Sequence, residues 1–412
     1  MLGGLTALAL GAEPPLGADA TGADDPAVHG RLLLGDALSF APGGSLEAAA
    51  AGRQSNVALG DLRLMWQPKK NGWSLDLAYE LTAEAGPGLR LTTTEQALLV
   101  PPPTTLLSLT GVLARGRDSL VTGRIDRLSI TYAAPSFVAR IGRQALTWGA
   151  GQFFHPLDLV DPFAPEAIDT EYKPGVDMAY GQLLFSDGSD LQLIAVPRRA
   201  PVGGVTWNAS TIAARYHRTF GKLGAAAEAA RDHGDWTAGF TLSGPLRGAA
   251  WNLELAPTWE AGGRTRVSAL ANVSLGFSLL RRNATAVAEY YHNGFGAPAG
   301  APFAALPPDL KDRLSRGQLF DTGRDYLAAG VSLEWTPLLT LSPALIVNLD
   351  DGSVYPALQA VRSLNNDTDL YFGVQAPLGA RGTEFGGLPL AQGTNLTLAP
   401  PMIGYVQLRR HF

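Results

Sequence analysis

Cysteine is absent from the 412 residues, and Asp, Glu, Lys and Arg together make only 17% of them, where a soluble domain usually carries about 25%. Without cysteine the chain has no disulfides, no thiolate metal sites and no thiol nucleophile. The absence also suits export through an oxidising compartment. A basic surplus is missing too: the formal net charge is −5. That leaves no cationic surface to neutralise phosphates, so nucleic acid is excluded as a partner. Long hydrophobic runs are lacking as well. The most apolar windows, Leu5–Ala12 and Ala97–Leu107, are short, and the second is broken by Pro101, Pro102 and Pro103. A helical membrane span would need roughly 18–20 uninterrupted apolar residues.

Enzyme signatures are missing in the same way. H-E-x-x-H, G-x-S-x-G and Walker patterns do not occur, and Gly149-Ala-Gly151 lacks the spacing of a nucleotide-binding turn. His29, His155, His217, His233, His292 and His411 are scattered, with no i,i+4 pair to hold a metal. The expectation is a non-enzymatic protein without cofactor or metal.

What the chain has is alternation. Gly72–Thr82 places Trp73, Leu75, Leu77, Tyr79 and Leu81 on one face and Ser74, Asp76, Ala78, Glu80 and Thr82 on the other. This is a strand with one apolar and one wet side. Gly234–Ser243, Trp251–Glu260, Val267–Leu279, Leu339–Leu349 and Leu370–Leu378 follow the rule, and about a dozen further segments approach it. A soluble sandwich also alternates, so strand length decides. These runs mostly reach about 9–12 residues, whereas soluble strands average about 5–6 and a tilted membrane strand needs about 9–11. Aromatic residues such as Trp66, Trp73, Tyr132, Trp236, Trp259 and Trp335 sit at the ends of apolar faces, as interfacial girdles do.

Connections then alternate between short turns and long loops. Gln67–Asn71, Ala134-Pro135, Phe220-Gly221 and Thr336-Pro337 fall on one side, and Ala83–Gly123, Gln144–Gly175 and Gly294–Asp325 on the other. With Gly30–Phe40 and Asn56–Trp66 as the first two strands, the count is eighteen, and sixteen is the alternative. The predicted fold is therefore all-β: a single transmembrane antiparallel up-and-down barrel over residues 30–412 with long extracellular loops. Residues 1–29 read either as the tail of a signal peptide, with a small-residue site near Ala12, or as a flexible linker. The terminal Phe412, with Leu408 and Val406 on its face, is the feature the barrel-assembly machinery is expected to recognise. Arg410 on that face departs from the ideal pattern but can snorkel to the membrane edge.

One stretch is distinctive. Arg140–Phe185, RIGRQALTWGAGQFFHPLDLVDPFAPEAIDTEYKPGVDMAYGQLLF, resembles the GRQ-x₃-WG…PLDL…PF…KPGVD segment of a porin-like family of proteobacterial outer-membrane barrels, a group related to alginate-export and phosphate-selective porins. Asp367–Gly387 resembles that group's penultimate strand and last loop. The resemblance implies an outer-membrane, porin-like role in a Gram-negative bacterium and names no solute.

The segment Trp148–Asp177 is the candidate functional loop. It holds Pro156, Pro162, Pro165 and Pro174, the acids Asp158, Asp161, Glu166, Asp169, Glu171 and Asp177, and His155. Proline stiffens it, and Phe153, Phe154, Leu157, Leu159 and Phe163 need a surface to pack on. Folded into the lumen, it would form an acidic constriction facing the basic wall residues Arg140 and Arg215, which have lumen parity. Arg143 joins this set although its parity is that of the lipid side, because it sits at a strand end. Alternatively the loop packs over the barrel mouth. The segment Pro307–Phe320 reads as a short helix with a solvated, mixed-charge face. Two functions stay open: a channel for small hydrophilic solutes or ions, or a non-conducting scaffold within an export, efflux or electron-transfer complex. The expected surroundings are the outer-membrane bilayer and, for a channel, its solutes; self-association into a homo-oligomer is compatible with either.

Overall fold

The computed structural model describes residues 28–96, 98, 102 and 104–412. The leader or linker expected before residue 30 therefore lies almost entirely outside the described residues. The first strands are β1 (Val28–Phe40), β2 (Gln54–Trp66), β3 (Trp73–Ala85), β4 (Ser119–Ala134), β5 (Phe137–Gln144) and β6 (Val176–Leu184). Next come β7 (Asp190–Val196), β8 (Thr211–Phe220), β9 (Leu223–Asp232), β10 (Asp235–Leu246), β11 (Ala249–Trp259) and β12 (Thr265–Leu279). The last are β13 (Arg282–His292), β14 (Asp325–Thr336), β15 (Leu339–Asn348), β16 (Val354–Asn365), β17 (Thr368–Gln375) and β18 (Met402–His411).

Each strand pairs antiparallel with its chain neighbour. β1 closes the sheet on β18, from Arg31 opposite His411 to Phe40 opposite Met402. The result is the eighteen-stranded barrel that the strand count predicts. Closure removes the open edges whose unpaired backbone groups could not survive in hydrocarbon. The seam ends at Phe412, whose backbone exchanges hydrogen bonds with Gly30 at 2.7 and 3.0 Å. Its ring lies where a Gly30 side chain would be, since a Cβ there would stand 2.3 Å from the ring.

The wall is turned inside out relative to a soluble protein. Ile130, Ile141, Phe240, Leu253, Leu358 and Val406 are exposed, whereas Arg31, Arg63, Asp126, Glu254, Glu289 and Arg409 are buried. Exposed leucines around a closed sheet have only lipid to face, so the chain sits in the outer membrane as a transmembrane barrel. On β3 and β11 the expected set faces outward, while Asn252 turns inward to bond Asn272. Aromatic residues mark both rims. Trp73, Tyr132 and Phe137 contact one another at the short-turn end, and Trp236 pairs with Trp259 at the other. No helix among the described residues is long and apolar enough to cross a membrane.

The long connections fold inward and together. Helix α1 (Leu46–Ala51), helix α2 (Leu89–Gln96) and helix α3 (Pro308–Ser315) lie in three of them. Phe295, Phe303, Leu306, Leu310, Leu314 and Leu398 form one apolar cluster above the barrel. Buried Glu384 ties two of these loops by accepting from Thr322, Tyr326 and Asn348. The charged face of α3 is solvated only in part, at Asp312 and Lys311. Arg313 is buried, reaches Asp235 at 2.6 Å and lies over the Phe295 ring, and Asp309 meets Arg266 at 2.8 Å. The barrel rim supplies opposite charges that the segment's own sequence does not reveal.

Candidate constriction site

Residues 145–175 enter the lumen and run around its wall. The first leg leaves β5, and Trp148 Nε1 donates to Gln192 on β7 at 2.8 Å. The Ala150 amide then donates to Glu254 on β11. Three successive amides, of Gln152, Phe153 and Phe154, converge on Glu289 of β13 at 2.7, 2.9 and 2.8 Å. Asn272 bridges the Ala150 carbonyl and Glu289. A buried amide without a partner costs about 1–3 kcal/mol, so these wall carboxylates let an irregular backbone lie inside the barrel. Phe154 stacks on Tyr291 with centroids 4.7 Å apart, and Tyr326 flanks it at 5.4 Å. The spaces left there are small, about 20 Å³ beside Phe154 and about 40 Å³ beside His155.

The middle of the loop is fastened to its own ends. Lys173, 1% exposed, donates to Asp158 and to the Leu146 carbonyl at 2.5 and 2.6 Å. Burial pushes the Asp158 carboxyl up to about 6 against the pull of Lys173. Burial and then Lys173 push the His155 imidazole down to about 4, so it is uncharged at neutral pH. Asp161 is likewise raised by burial, with Arg198 opposing.

The return leg is clamped by arginines. Asp169 meets Arg31 at 2.7 Å and Arg409 at 3.3 Å, and Glu171 meets Arg31 at 2.9 Å and His411 at 2.7 Å. Although burial opposes it, Arg409 and Arg31 hold Asp169 below the usual carboxylate range, and Arg31 does the same for Glu171. Tyr172 lies under both Arg63 and Arg31, at 4.3 and 5.0 Å. The leg ends on a β-bulge: Ala78 opposes Arg127 and Tyr79 opposes Ile125, leaving Asp126 as the extra residue. Arg127 then binds the Lys173 carbonyl, and Asp126 accepts from the Gly175 amide at 3.0 Å. Only glycine fits at 175, because a Cβ there would lie 2.0 Å from the Asp126 carbonyl oxygen.

The loop carboxylates do not face Arg140 and Arg215 as the charge pattern suggests. Arg215 is paired at 3.0 Å with Glu228 on the next strand, and Arg140 donates to Thr131. Asp158, Asp169 and Glu171 are instead consumed by Lys173, Arg31 and Arg409, which lie nearer. Glu166 is held through its carbonyl by Gln375. Arg143 and Asp177 do not line the lumen either. They keep the outward parity of Ile141 and Ala179, bind each other at 2.9 Å and are covered by residues 104–107, whose Leu107 amide donates to Asp177. Parity, not the strand end, decides their side.

Arg140 does line open space. A vestibule of about 590 Å³ at the short-turn end is bordered by Asp76, Thr131, Arg140, Tyr180 and Gln182. The residues that sequence reasoning missed are the anchors Arg31, Arg63, Asp126, Glu254, Glu289 and Arg409. Their only signal is lumen parity, which any wetting residue shares, and Asp126 lacks even that because the bulge turns it inward. Among the described residues no group of three or more His, Asp or Glu side chains could hold a metal.

No protein-family model matches the chain, and no curated protein matches its sequence. Solved structures match its fold. OpdQ of Pseudomonas aeruginosa aligns with a TM-score of 0.53 at 9% identity, over 93% of this chain and 97% of that one. A BenF-like porin from Pseudomonas fluorescens gives 0.53 at 9%, over 93% and 98%. Wzi of Escherichia coli, described as a carbohydrate-binding barrel involved in capsule assembly, gives 0.53 at 10%, over 92% and 83%. At such identities the likeness is one of fold: this chain has the barrel architecture of outer-membrane porins.

Proposed function

We propose that the chain is a porin-like channel for small hydrophilic solutes or ions, with residues 145–175 as its constriction. The observation that carries this reading is the loop's course. It is fixed inside the lumen by Glu254 and Glu289 on one wall and by Arg31, Arg409 and Asp126 on the other. A constriction must hold its shape under flow, and buried ion pairs that are broken at a cost of about 3–5 kcal/mol provide that rigidity. The open vestibule beside β3–β6 gives the path a side, so solutes pass Asp76 and Arg140. Opposite charges across that space would orient hydrated ions as they narrow into single file.

The apolar canopy of outer loops and the close packing around Phe154 favour a second reading, a non-conducting barrel that binds or scaffolds at its outer face. One experiment separates them. Purified protein in planar bilayers gives discrete, ohmic steps if it is a channel, and Arg140→Glu then moves ion selectivity toward cations. A silent bilayer with correctly folded barrel supports the scaffold.

A further inference from the structure

On the outward wall of β5–β8, at the long-loop rim, lies an apolar groove of about 510 Å³. Its floor is made of the small outward residues Ala179 and Ala195, flanked in register by Ile141 and Ile212. Leu107 overhangs one bank and Trp207 the other, both exposed. The banks are built, not incidental. Residues 104–105 pair as a strand with Arg198–Arg199, and the buried Arg143–Asp177 pair fixes Leu107 from beneath. Two arginines border the groove, Arg199 exposed and Arg231 half-buried. Arg199 donates through Nε to the carbonyl of Leu106, a lining residue, at 2.9 Å. Arg231 stands opposite Ile212 in register, also a lining residue, and contacts Asn208 at 3.2 Å.

We infer that this groove binds one acyl chain of a phosphorylated glycolipid of the outer leaflet, with its phosphate between Arg199 and Arg231. Position commits the occupant: the floor residues face hydrocarbon, and the rim is that of the long loops. Width agrees, because a floor of two alanines between overhanging Leu107 and Trp207 suits a single chain. Charge agrees too, since guanidinium groups bind phosphate with directed hydrogen bonds and the remaining lining is almost wholly apolar.

Refolded full-length protein is tested with bis-phosphorylated lipid A by native mass spectrometry and by lipid-resolved thermal shift, with phosphatidylethanolamine as the neutral control. A single retained lipid A, not displaced by phosphatidylethanolamine, is expected. Arg199→Ala with Arg231→Ala should weaken retention about tenfold, and Ala179→Phe should abolish it while the Arg pair remains. Heat-modifiable gel mobility checks that each variant is folded. Equal retention of both lipids, or retention unchanged in the folded Ala179→Phe variant, overturns the inference. Discrete dimers or trimers that Ala179→Phe dissociates overturn it as well, and would assign the groove to a second copy of this chain.

Discussion

Lys173 and Asp158 are fifteen residues apart in sequence, yet their side chains meet at 2.5 Å with both almost wholly buried. Lys173 also holds the Leu146 carbonyl, so one ammonium fastens the start, middle and end of the lumen loop. The KPGVD motif reads accordingly: Lys173 is the staple, Gly175 the close approach to β4, and Asp177 the partner of Arg143.

Removing the staple should release the loop. Lys173→Met leaves an ionised Asp158 buried without its partner, a loss of about 3–5 kcal/mol for pairs of this kind. The expected result is faster proteolysis within residues 145–175 with an intact, heat-modifiable barrel. The double variant Lys173→Met with Asp158→Leu should recover most of the protection, because it removes the unpaired charge as well.

The same pair sets a pH dependence with a definite sign. The folded carboxyl of Asp158 lies near 6, above its usual value of about 3.8. A raised folded value gives stability that is present below the unfolded value and lost as pH rises through about 6. Lys173→Met removes the charge that opposes this rise, so the variant's loop should be better protected at pH 5, where Asp158 is neutral, than at pH 7.5. Asp169 and Glu171 are shifted downward, so their arginine clamp persists at pH 5. Limited proteolysis of this variant at the two pH values measures the difference. Protection that falls on acidification contradicts the assignment.

Much of this architecture was legible in the sequence, and the reason is lipid. Alternation on β3, β10 and β11 is sharp because one face must be apolar for the bilayer while the other is wet. Strand number and the side of each long loop followed from it. The wiring of the loop was not legible. Glu289 and Phe153 lie 136 residues apart, and Arg31 and Asp169 138 apart. Several carboxylates and arginines share lumen parity, and sequence spacing cannot say which pair meets across a closed barrel. The bulge at Asp126 adds a second inward charge beside Arg127 that strict alternation forbids.

The seam at the chain's end gives a prediction for assembly. Phe412 covers Gly30 and its backbone bonds extend the β1–β18 ladder. Deleting Phe412, or replacing Gly30 by Val so that the ring is displaced, should lower outer-membrane yield severalfold without changing transcript level. Quantitative immunoblots of membrane fractions measure it, and normal insertion of both variants would contradict a role for this contact.

Charge inside the lumen should answer to the clamp. Asp169→Asn with Glu171→Gln leaves Arg31 and Arg409 without their loop carboxylates, although Asp61 still meets Arg31 at 2.9 Å. Reversal potentials in a salt gradient should shift toward anion preference. An unchanged potential would place the clamp away from the path of the ions.

The central claim is that residues 145–175 narrow a conducting lumen. Its most direct measurement is single-channel conductance of the barrel in which residues 147–172 are replaced by a short Gly-Ser link, compared with the intact chain under identical salt. Intact protein should give small, steady steps, and the shortened loop should raise them severalfold. Equal conductance in the two proteins would contradict the claim and place the loop outside the permeation path.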